Sequence, residues 1–446
     1  MSSPADSAVD RRTFVKQSVA AGVGLGLMGG PKPAFARRAP SDTLTVAVMG
    51  VNSRGDYLAR AFASSTGARV GYVCDVDSRV MEKTTAAVAG LQDTRPDMAG
   101  DFRRALDDPN VDALVIAAPD HWHAPATLMA LQAGKHVYLE KPCGHNAREG
   151  ELLVEAQRKY GTVVQMGNQQ RSSPRSQEII HELRNGIIGR PYYAKAWYAN
   201  TRGPIGNGSR STPPAWLDYE LWQGPAPRMP YRDNLIHYNW HWFWNWGTAE
   251  ICNNGTHEID VCRWALGVEF PVRVTSSGGR YHYRNDDWKD MPDTQVASFE
   301  FEDGKTIMWE GKSCNGRSVE GRGRGVCIHG ETGSVVIDRA GYVVYDQDNR
   351  ETFVSIQRGA EGTLDTRGGG DLTDLHIENF LASVRGEVTP NAPIDEGHKS
   401  QLLCHLGNIA WRESRDLVCD PSDGHIAGSA TDLWTREYES GWEPTV

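Results

Sequence analysis

No two cysteines in this chain are spaced as CxxC, although it holds eight of them, which argues against a structural zinc site. Nor is there a surplus of basic side chains. Asp and Glu number 57 against 47 Lys and Arg, leaving a net charge of −10, so nucleic acid and anionic membrane are poor partners. Beyond the N-terminal region no apolar run is long enough for a membrane span, and no internal repeat or low-complexity tract follows it. What remains is a chain of 446 residues, enough for two domains and a sizeable core. Cys74, Cys143, Cys252 and Cys262 sit in apolar contexts that read as buried thiols, with any disulfide pairing left open.

The N-terminus reads as a targeting segment. Arg11-Arg12-Thr13-Phe14-Val15-Lys16 precedes an apolar, glycine-rich stretch from Val19 to Met28, and Ala34-Phe35-Ala36 supplies a small-residue cleavage site. Residues 1–36 thus form a bacterial export signal of the twin-arginine type, which predicts a periplasmic or secreted protein with no membrane anchor after cleavage. That route carries folded proteins and suits an enzyme that leaves the cytoplasm with its cofactor on board. The alternative is an accidental Arg-Arg before a short anchor. Cleavage would remove four basic and two acidic side chains, moving the net charge from −10 to −12.

From Leu44 the chain alternates strand and helix patterns: apolar strands at Leu44–Met49, Ala68–Cys74, Ala113–Ala118, His136–Leu139 and Thr162–Met166, with helical stretches between them. This spacing predicts an α/β fold whose N-terminal part, 43–167, is a doubly wound parallel sheet of the Rossmann kind. After about residue 190 longer alternating strands appear, at Tyr192–Tyr198, Val272–Gly278, Gln295–Phe301, Thr306–Gly311, Gly325–Gly330 and Ser334–Asp338. They predict a second α/β domain over 168–446 with a large, open, mainly antiparallel sheet, helical again at 372–413.

The first strand runs into Gly50-Val51-Asn52-Ser53-Arg54-Gly55. Gly50 permits the tight turn and Gly55 close helix–strand packing, while Asn52 tolerates a left-handed backbone. The helix start behind the turn offers amides and a favourable dipole to a pyrophosphate. Asp75 ends the second strand about twenty residues on, where a carboxylate accepts from a ribose and repels a 2′-phosphate, favouring NAD over NADP. The alternative is that Asp75 caps a helix, a duty for which Asp77 is better placed. Pro119-Asp120-His121-Trp122-His123 follows the third apolar strand, and Glu140-Lys141-Pro142 follows the fourth. A lysine beside a dinucleotide at that sheet edge can do proton chemistry on an alcohol. No carboxylate or cysteine accompanies His121 and His123, so no metal is expected there.

Gly50-x-Asn52-x-x-Gly55, Pro119-Asp120-x-x-His123, Glu140-Lys141-Pro142 and Gly255-Thr256-His257-Glu258-Ile259-Asp260 occur in that order. Together they resemble the Gfo/Idh/MocA family of sugar and inositol oxidoreductases, from about Leu44 to the last helix. The resemblance implies a tightly bound nicotinamide cofactor held by Gly50, Asn52, Ser53, Arg54, Gly55, Asp75, Pro119, His123, Glu140 and Lys141. It also implies that Lys141 holds the reacting hydroxyl, that His257 accepts its proton, and that Pro142 shapes the lysine's turn. Asn253 stands where the family usually carries Asp; it can hydrogen-bond a sugar hydroxyl but cannot share a proton. The plainer reading of His257 is a helix-face histidine satisfied by Asp260 or a backbone carbonyl. Some relatives use bound NAD transiently to cleave glycosides, but the best-known such branch replaces the lysine that Lys141 keeps. A non-catalytic sugar-binding relative is the third possibility.

Seven of the fourteen tryptophans fall between Trp197 and Trp246, and Trp240, Trp242, Trp244 and Trp246 alternate. On a strand, that places four indoles on one face, either as a platform for sugar rings or as packed core or subunit contact. Substrate contacts are expected from His241 and Trp242, with Asn239 and Asn245 at the rim, and from Gln169, Gln170, Arg171, Asn253 and His257. His376, His398 and His405 reach the site only if the last helices fold back. The sheet of the second domain is also a surface for a dimer or tetramer.

Overall fold

The computed structural model describes residues 43–287, 290–356, 370–428 and 431–446. The expected export signal at 1–36 lies outside these residues. The first half reads β1 (Leu44–Met49), α1 (Arg54–Ser64), β2 (Ala68–Cys74), α2 (Ser78–Ala89), β3 (Asp97–Ala99), α3 (Arg103–Leu106), β4 (Ala113–Ile116), α4 (Asp120–Gln132), β5 (His136–Leu139), α5 (Ala147–Tyr160) and β6 (Val164–Met166). The strands form one sheet in the order β3-β2-β1-β4-β5-β6, every pair parallel. All six residues of β1 and all four of β4 are buried, because helices cover both faces of a parallel sheet. The strand order reverses between β1 and β4, and the crevice beyond their carboxyl ends is where such sheets bind ligands.

The second half comprises α6 (Pro174–Arg184), β7 (Pro191–Ala199), α7 (Tyr219–Gln223), α8 (Thr256–Leu266), β8 (Arg273–Gly279), β9 (Thr294–Phe301), β10 (Lys305–Lys312), β11 (Arg324–Gly330), β12 (Gly333–Ile337), β13 (Gly341–Asp346), β14 (Glu351–Ile356), α9 (Gly370–Arg385), α10 (Ile394–Glu413) and β15 (Leu417–Val418). Its nine strands run β14-β13-β12-β11-β7-β10-β9-β8-β15, antiparallel except for the β7–β10 pair. Burial alternates along β9 and β10, so one face of the sheet is packed. Phe299, Ile307 and Trp309 on that face meet Ile259 of α8 and Leu403 and Leu406 of α10.

α9 returns to the first sheet. Ile377, Phe380 and Leu381 join Leu44, Val46, Phe62 and Tyr138 in one buried cluster, with Phe380 edge-on to Phe62 and Tyr138 at 6.2 and 5.7 Å. Each such buried side chain contributes about 1.5–3 kcal/mol of transfer free energy, so tertiary burial fixes this helix. The last helices therefore do fold back, and Thr373 reaches the crevice. α10 runs between α5 and β8, tying the two sheets into one unit.

Candidate active site

A cleft of about 580 Å³ opens beyond β1 and β4 and is walled on its other side by the second half of the chain. On the first side stands the glycine turn. Gly50 has φ +83°, and a Cβ there would lie 2.5 Å from the Ala118 nitrogen, so only glycine fits. A Cβ on Gly55 would lie 1.9 Å from the Gly50 carbonyl oxygen, which explains how α1 starts so close to β1. Asn52 is not among the positive-φ residues, contrary to expectation; Gly50 alone makes the reversal. No side chain caps the start of α1, which leaves its first amides for a ligand.

Asp75 sits on the cleft wall at the end of β2. One carboxylate oxygen accepts from the Val51 amide at 2.6 Å and the other from the Asp77 amide at 2.9 Å, so Asp75 also braces the turn. Burial pushes its pKa up against those bonds. Asp77 is the helix cap, accepting from the Arg79 amide at the start of α2. The glycine turn, its uncapped amides and Asp75 together fit the diphosphate and ribose of a dinucleotide.

Across the cleft, residues Ile251–Gly255 form a π-helical turn that leads into α8. Such widened turns are common at functional sites, because they displace one residue from the helical ladder. Asn253 lies at the middle of this turn. Lys141 Nζ donates to its backbone carbonyl at 2.6 Å and to its Oδ1 at 3.0 Å. Burial lowers the pKa of Lys141, opposed by the charges of Glu140 and Asp120. Glu140 itself is buried, yet the charges of Arg54 and Lys141 hold its pKa below the ordinary value; its Oε1 accepts from Arg54 Nε at 2.8 Å and from Gln169 Nε2 at 3.1 Å.

His257, in the first turn of α8, lines the same cleft. Burial and then the positive charges of Arg339, Lys141, Arg324 and Arg54 push its pKa well below 6.5. The ring is therefore neutral near pH 7 and can accept a proton. Asp260 does not satisfy it: that carboxylate takes Arg171 Nε and Nη2 at 2.8 and 2.9 Å and the Ser400 hydroxyl at 2.6 Å.

Thus Gly50, Asn52, Ser53, Arg54, Asp75, Pro119, His123, Glu140, Lys141, Gln169, Gln170, His241, Asn253 and His257 all line one cleft. The expectations for Arg171, the alternating tryptophans, Asn239 and Asn245 need correction. Arg171 is not a substrate residue; it is 5% exposed and locked on Asp260. Trp242 is buried beside Ala249 and Met291. The alternating tryptophans do not lie on a strand, since Asn239–Trp242 is a 3-10 helix with three residues per turn. Trp246 therefore joins a core with Trp222 and Tyr219, and Trp244 Nε1 donates to the Asp290 carbonyl. Of the four alternating tryptophans Trp240 lines the cleft, stacked on His241 at 3.6 Å. Asn239 and Asn245 donate to the carbonyls of Asn234 and Pro227 rather than rimming the site. The ring nitrogens of His123 lie 2.5 and 2.8 Å from the Pro142 and Ala118 carbonyls, pinning the lysine's turn to the β4 edge. His376 holds Ser172 and the Met166 carbonyl.

The cleft also contains residues without a sequence signal. Arg202 pairs with buried Glu250 at 2.8 Å and hydrogen-bonds the Tyr238 hydroxyl. Tyr238 has φ +88°, a strained backbone of the kind that active sites retain. Arg339, at the β12–β13 turn, reaches the wall near His257.

A family model for an oxidoreductase family with an NAD-binding Rossmann fold (Gfo/Idh/MocA) matches residues 44–168, and its C-terminal alpha/beta companion matches 181–417. The chain is 28% identical to an inositol 2-dehydrogenase of Streptomyces avermitilis over 371 residues, covering 82% of this chain and 92% of that one. It is 27% identical to a glycosyl hydrolase family 109 protein of Saccharopolyspora erythraea over 237 residues, 44% of this chain and about half (52%) of that relative's length. Among solved structures, a levoglucosan dehydrogenase in complex with NADH and levoglucosan superposes with a TM-score of 0.65 at 17% identity, covering 84% of this chain and 99% of that one. The WlbA dehydrogenase from Bordetella pertussis, in complex with NADH and UDP-GlcNAcA, gives 0.63 at 20% identity, covering 85% and 99%. At these identities the structures show a shared fold.

Proposed function

Because this chain belongs to the Gfo/Idh/MocA oxidoreductase family and carries its NAD-binding domain, we propose that it is an exported enzyme acting on a secondary hydroxyl of a sugar, glycoside or polyol, with NAD held tightly. The observation that carries this reading is the pairing, in one cleft, of a neutral buried histidine with a lysine of lowered pKa. Oxidised nicotinamide, when bound, accepts a hydride from the carbinol carbon. The proton must go elsewhere, and His257 is the base that can take it. Lys141 uses two of its three donors on Asn253 and keeps one for the substrate oxygen, where it stabilises developing negative charge. Gly50, the α1 amides and Asp75 hold the cofactor's diphosphate and adenosine ribose, and Trp240 with His241 offers a stacking surface for a ring.

Export is supported by Arg11 and Arg12; replacing both with Lys is expected to leave the protein in the cytoplasm. Similarity to a glycosyl hydrolase family 109 protein favours one second reading, redox-neutral cleavage of a glycoside through transient oxidation. The test is the nicotinamide absorbance of the purified mature protein before and after mixing with sugars, glycosides and inositols. A lasting change with one class supports net oxidoreduction. Glycoside cleavage with no net change supports the second reading, and failure to bind NAD at all refutes both.

A further inference from the structure

The cleft is rich in charge of both signs, and Asp75, Asp120 and Glu140 are the carboxylates that line it. Arg54, Lys141, Arg202 and Arg339 line it, with Arg324 buried behind them. Three of the arginines are committed: Arg54 to Glu140 at 2.8 Å, Arg202 to Glu250 at 2.8 Å and Arg324 to Glu258 at 2.7 Å. Lys141 rests on the Asn253 oxygens. Arg339 has neither an ion pair nor a hydrogen bond among the described residues. Its neighbour Asp338 gives it nothing, because that carboxylate takes Arg322 Nε at 2.7 Å and the Ala340 and Gly341 amides at 2.8 and 3.1 Å. Gln170 donates to the Asp338 carbonyl at 3.0 Å, which fixes the hairpin tip at the cleft.

Arg339 is half-buried on the cleft wall, and a guanidinium held there with no partner among the described residues is open to an anionic group of a ligand. Burial, and then the repulsion of Arg324, lower Arg339 to about 9, which shows how little the protein itself compensates the charge. The planar fork of arginine matches a carboxylate with two parallel hydrogen bonds. A single unpaired fork matches one carboxylate, whereas a phosphate carries further oxygens and charge that one guanidinium does not meet. Arg339 is also the foremost charge acting on His257, which places the anion close to the reacting hydroxyl.

We propose that Arg339 holds a carboxylate of the substrate, so that the enzyme acts on an acidic sugar, a hexuronate or aldonate, in preference to a neutral one. The inference rests on the oxidoreductase reading and narrows it. It also has a chemical consequence: a bound carboxylate neutralises Arg339, relieves the field that depresses His257, and leaves that ring a better base with the acidic substrate in place.

The test compares binding of methyl β-D-glucuronoside and methyl β-D-glucoside to the NAD-loaded protein by calorimetry, alongside Arg339→Gln and Arg339→Lys. Wild type should bind the acid about 10- to 100-fold more tightly, the worth of one charge-assisted pair. Arg339→Gln should erase that preference while leaving the glucoside unchanged, and Arg339→Lys should restore part of it. Removing an unpaired cation should leave the melting temperature at or above wild type, so a folding defect does not imitate the result. No preference in wild type, a preference that survives Arg339→Gln, or tighter Arg339-dependent binding of a sugar phosphate than of the uronide would overturn the proposal. Arg339-dependent uronide binding with nicotinamide absorbance unchanged by every sugar would sink the oxidoreductase reading and leave the carboxylate site standing. Reduction of nicotinamide by neutral sugars alone, unaffected in Arg339→Gln, would do the reverse.

Discussion

Replacing Lys141 with Met separates a catalytic role from a structural one, because the two predict opposite outcomes. Lys141 bridges the Glu140 turn to the π-helical turn through two bonds to Asn253, at 2.6 and 3.0 Å. Losing them costs about 1 kcal/mol each, and the unpaired Asn253 oxygens add to that. Against this stands the desolvation of the ammonium, which is several kcal/mol for a buried ion. The direction of its pKa decides between them. Burial outweighs the attraction of Glu140 and Asp120, so the charged form is less comfortable here than in water. Met fills a similar volume without charge, and the net change in stability should stay within about 1 kcal/mol. Melting should move by no more than about 3 °C. Turnover should fall about 10²- to 10³-fold, the usual cost of removing one donor from a developing oxyanion, with NAD binding intact. Calorimetric melting and single-turnover reduction of bound NAD measure the two quantities on one preparation. A melting point lower by more than about 6 °C with turnover preserved would refute the reasoning and make Lys141 a strut.

His257→Gln should lower turnover about 10²- to 10⁴-fold. In wild type the acid limb of the pH–rate profile should lie well below pH 6.5, since His257 is held neutral, and that limb should vanish in the variant. Asp75→Ala removes the acceptor of the Val51 and Asp77 amides, so NAD should bind more weakly and discrimination against NADP should relax. An unchanged NAD/NADP ratio would reduce Asp75 to a brace. Acid should destabilise the fold: buried His121 is lowered to about 3, and His376, His398 and His405 to about 4. Their folded values lie below the unfolded 6.5, so this stability is present above pH 6.5 and lost as pH falls toward 4; Asp120 and Glu149, pushed up by burial, run the other way. The balance should cost more than about 1 kcal/mol between those limits, and a urea midpoint flat over the range would contradict it.

The parallel sheet was readable because strands covered on both faces are continuous apolar runs, as in Leu44–Met49. β3 was not, since Asp97 and Met98 are exposed on an edge strand of three residues. Motifs singled out Lys141, Asn253 and His257, which the fold brings to one cleft. The tryptophans misled for a physical reason. A period of two marks a strand only where the backbone is extended, and here a 3-10 helix sends neighbouring indoles to different cores. Arg171 misled because its position after β6 suggested the cleft edge, whereas its partner Asp260 stands 89 residues along the chain. Arg202, Glu250 and Arg339 gave no signal, because what distinguishes them is which tertiary partner each has or lacks.

That last distinction also explains why these particular groups mark the site. Glu140 is buried in the space that Gly167 leaves free, where a Cβ would lie 2.9 Å from its Oε2. It neutralises Arg54 of the glycine turn and supports the charge on Lys141. One carboxylate therefore couples the cofactor turn to Lys141, and a shift in either is felt by the other. Glu250 and Glu258 do the same for Arg202 and Arg324. With these pairs closed, the cleft's open polar groups include the third proton of Lys141, the neutral ring of His257 and the fork of Arg339. Folded proteins satisfy nearly every buried polar group. Lys141, His257 and Arg339 line one cleft, and on the proposed reading a substrate hydroxyl lies between Lys141 and His257 with its carboxylate on Arg339.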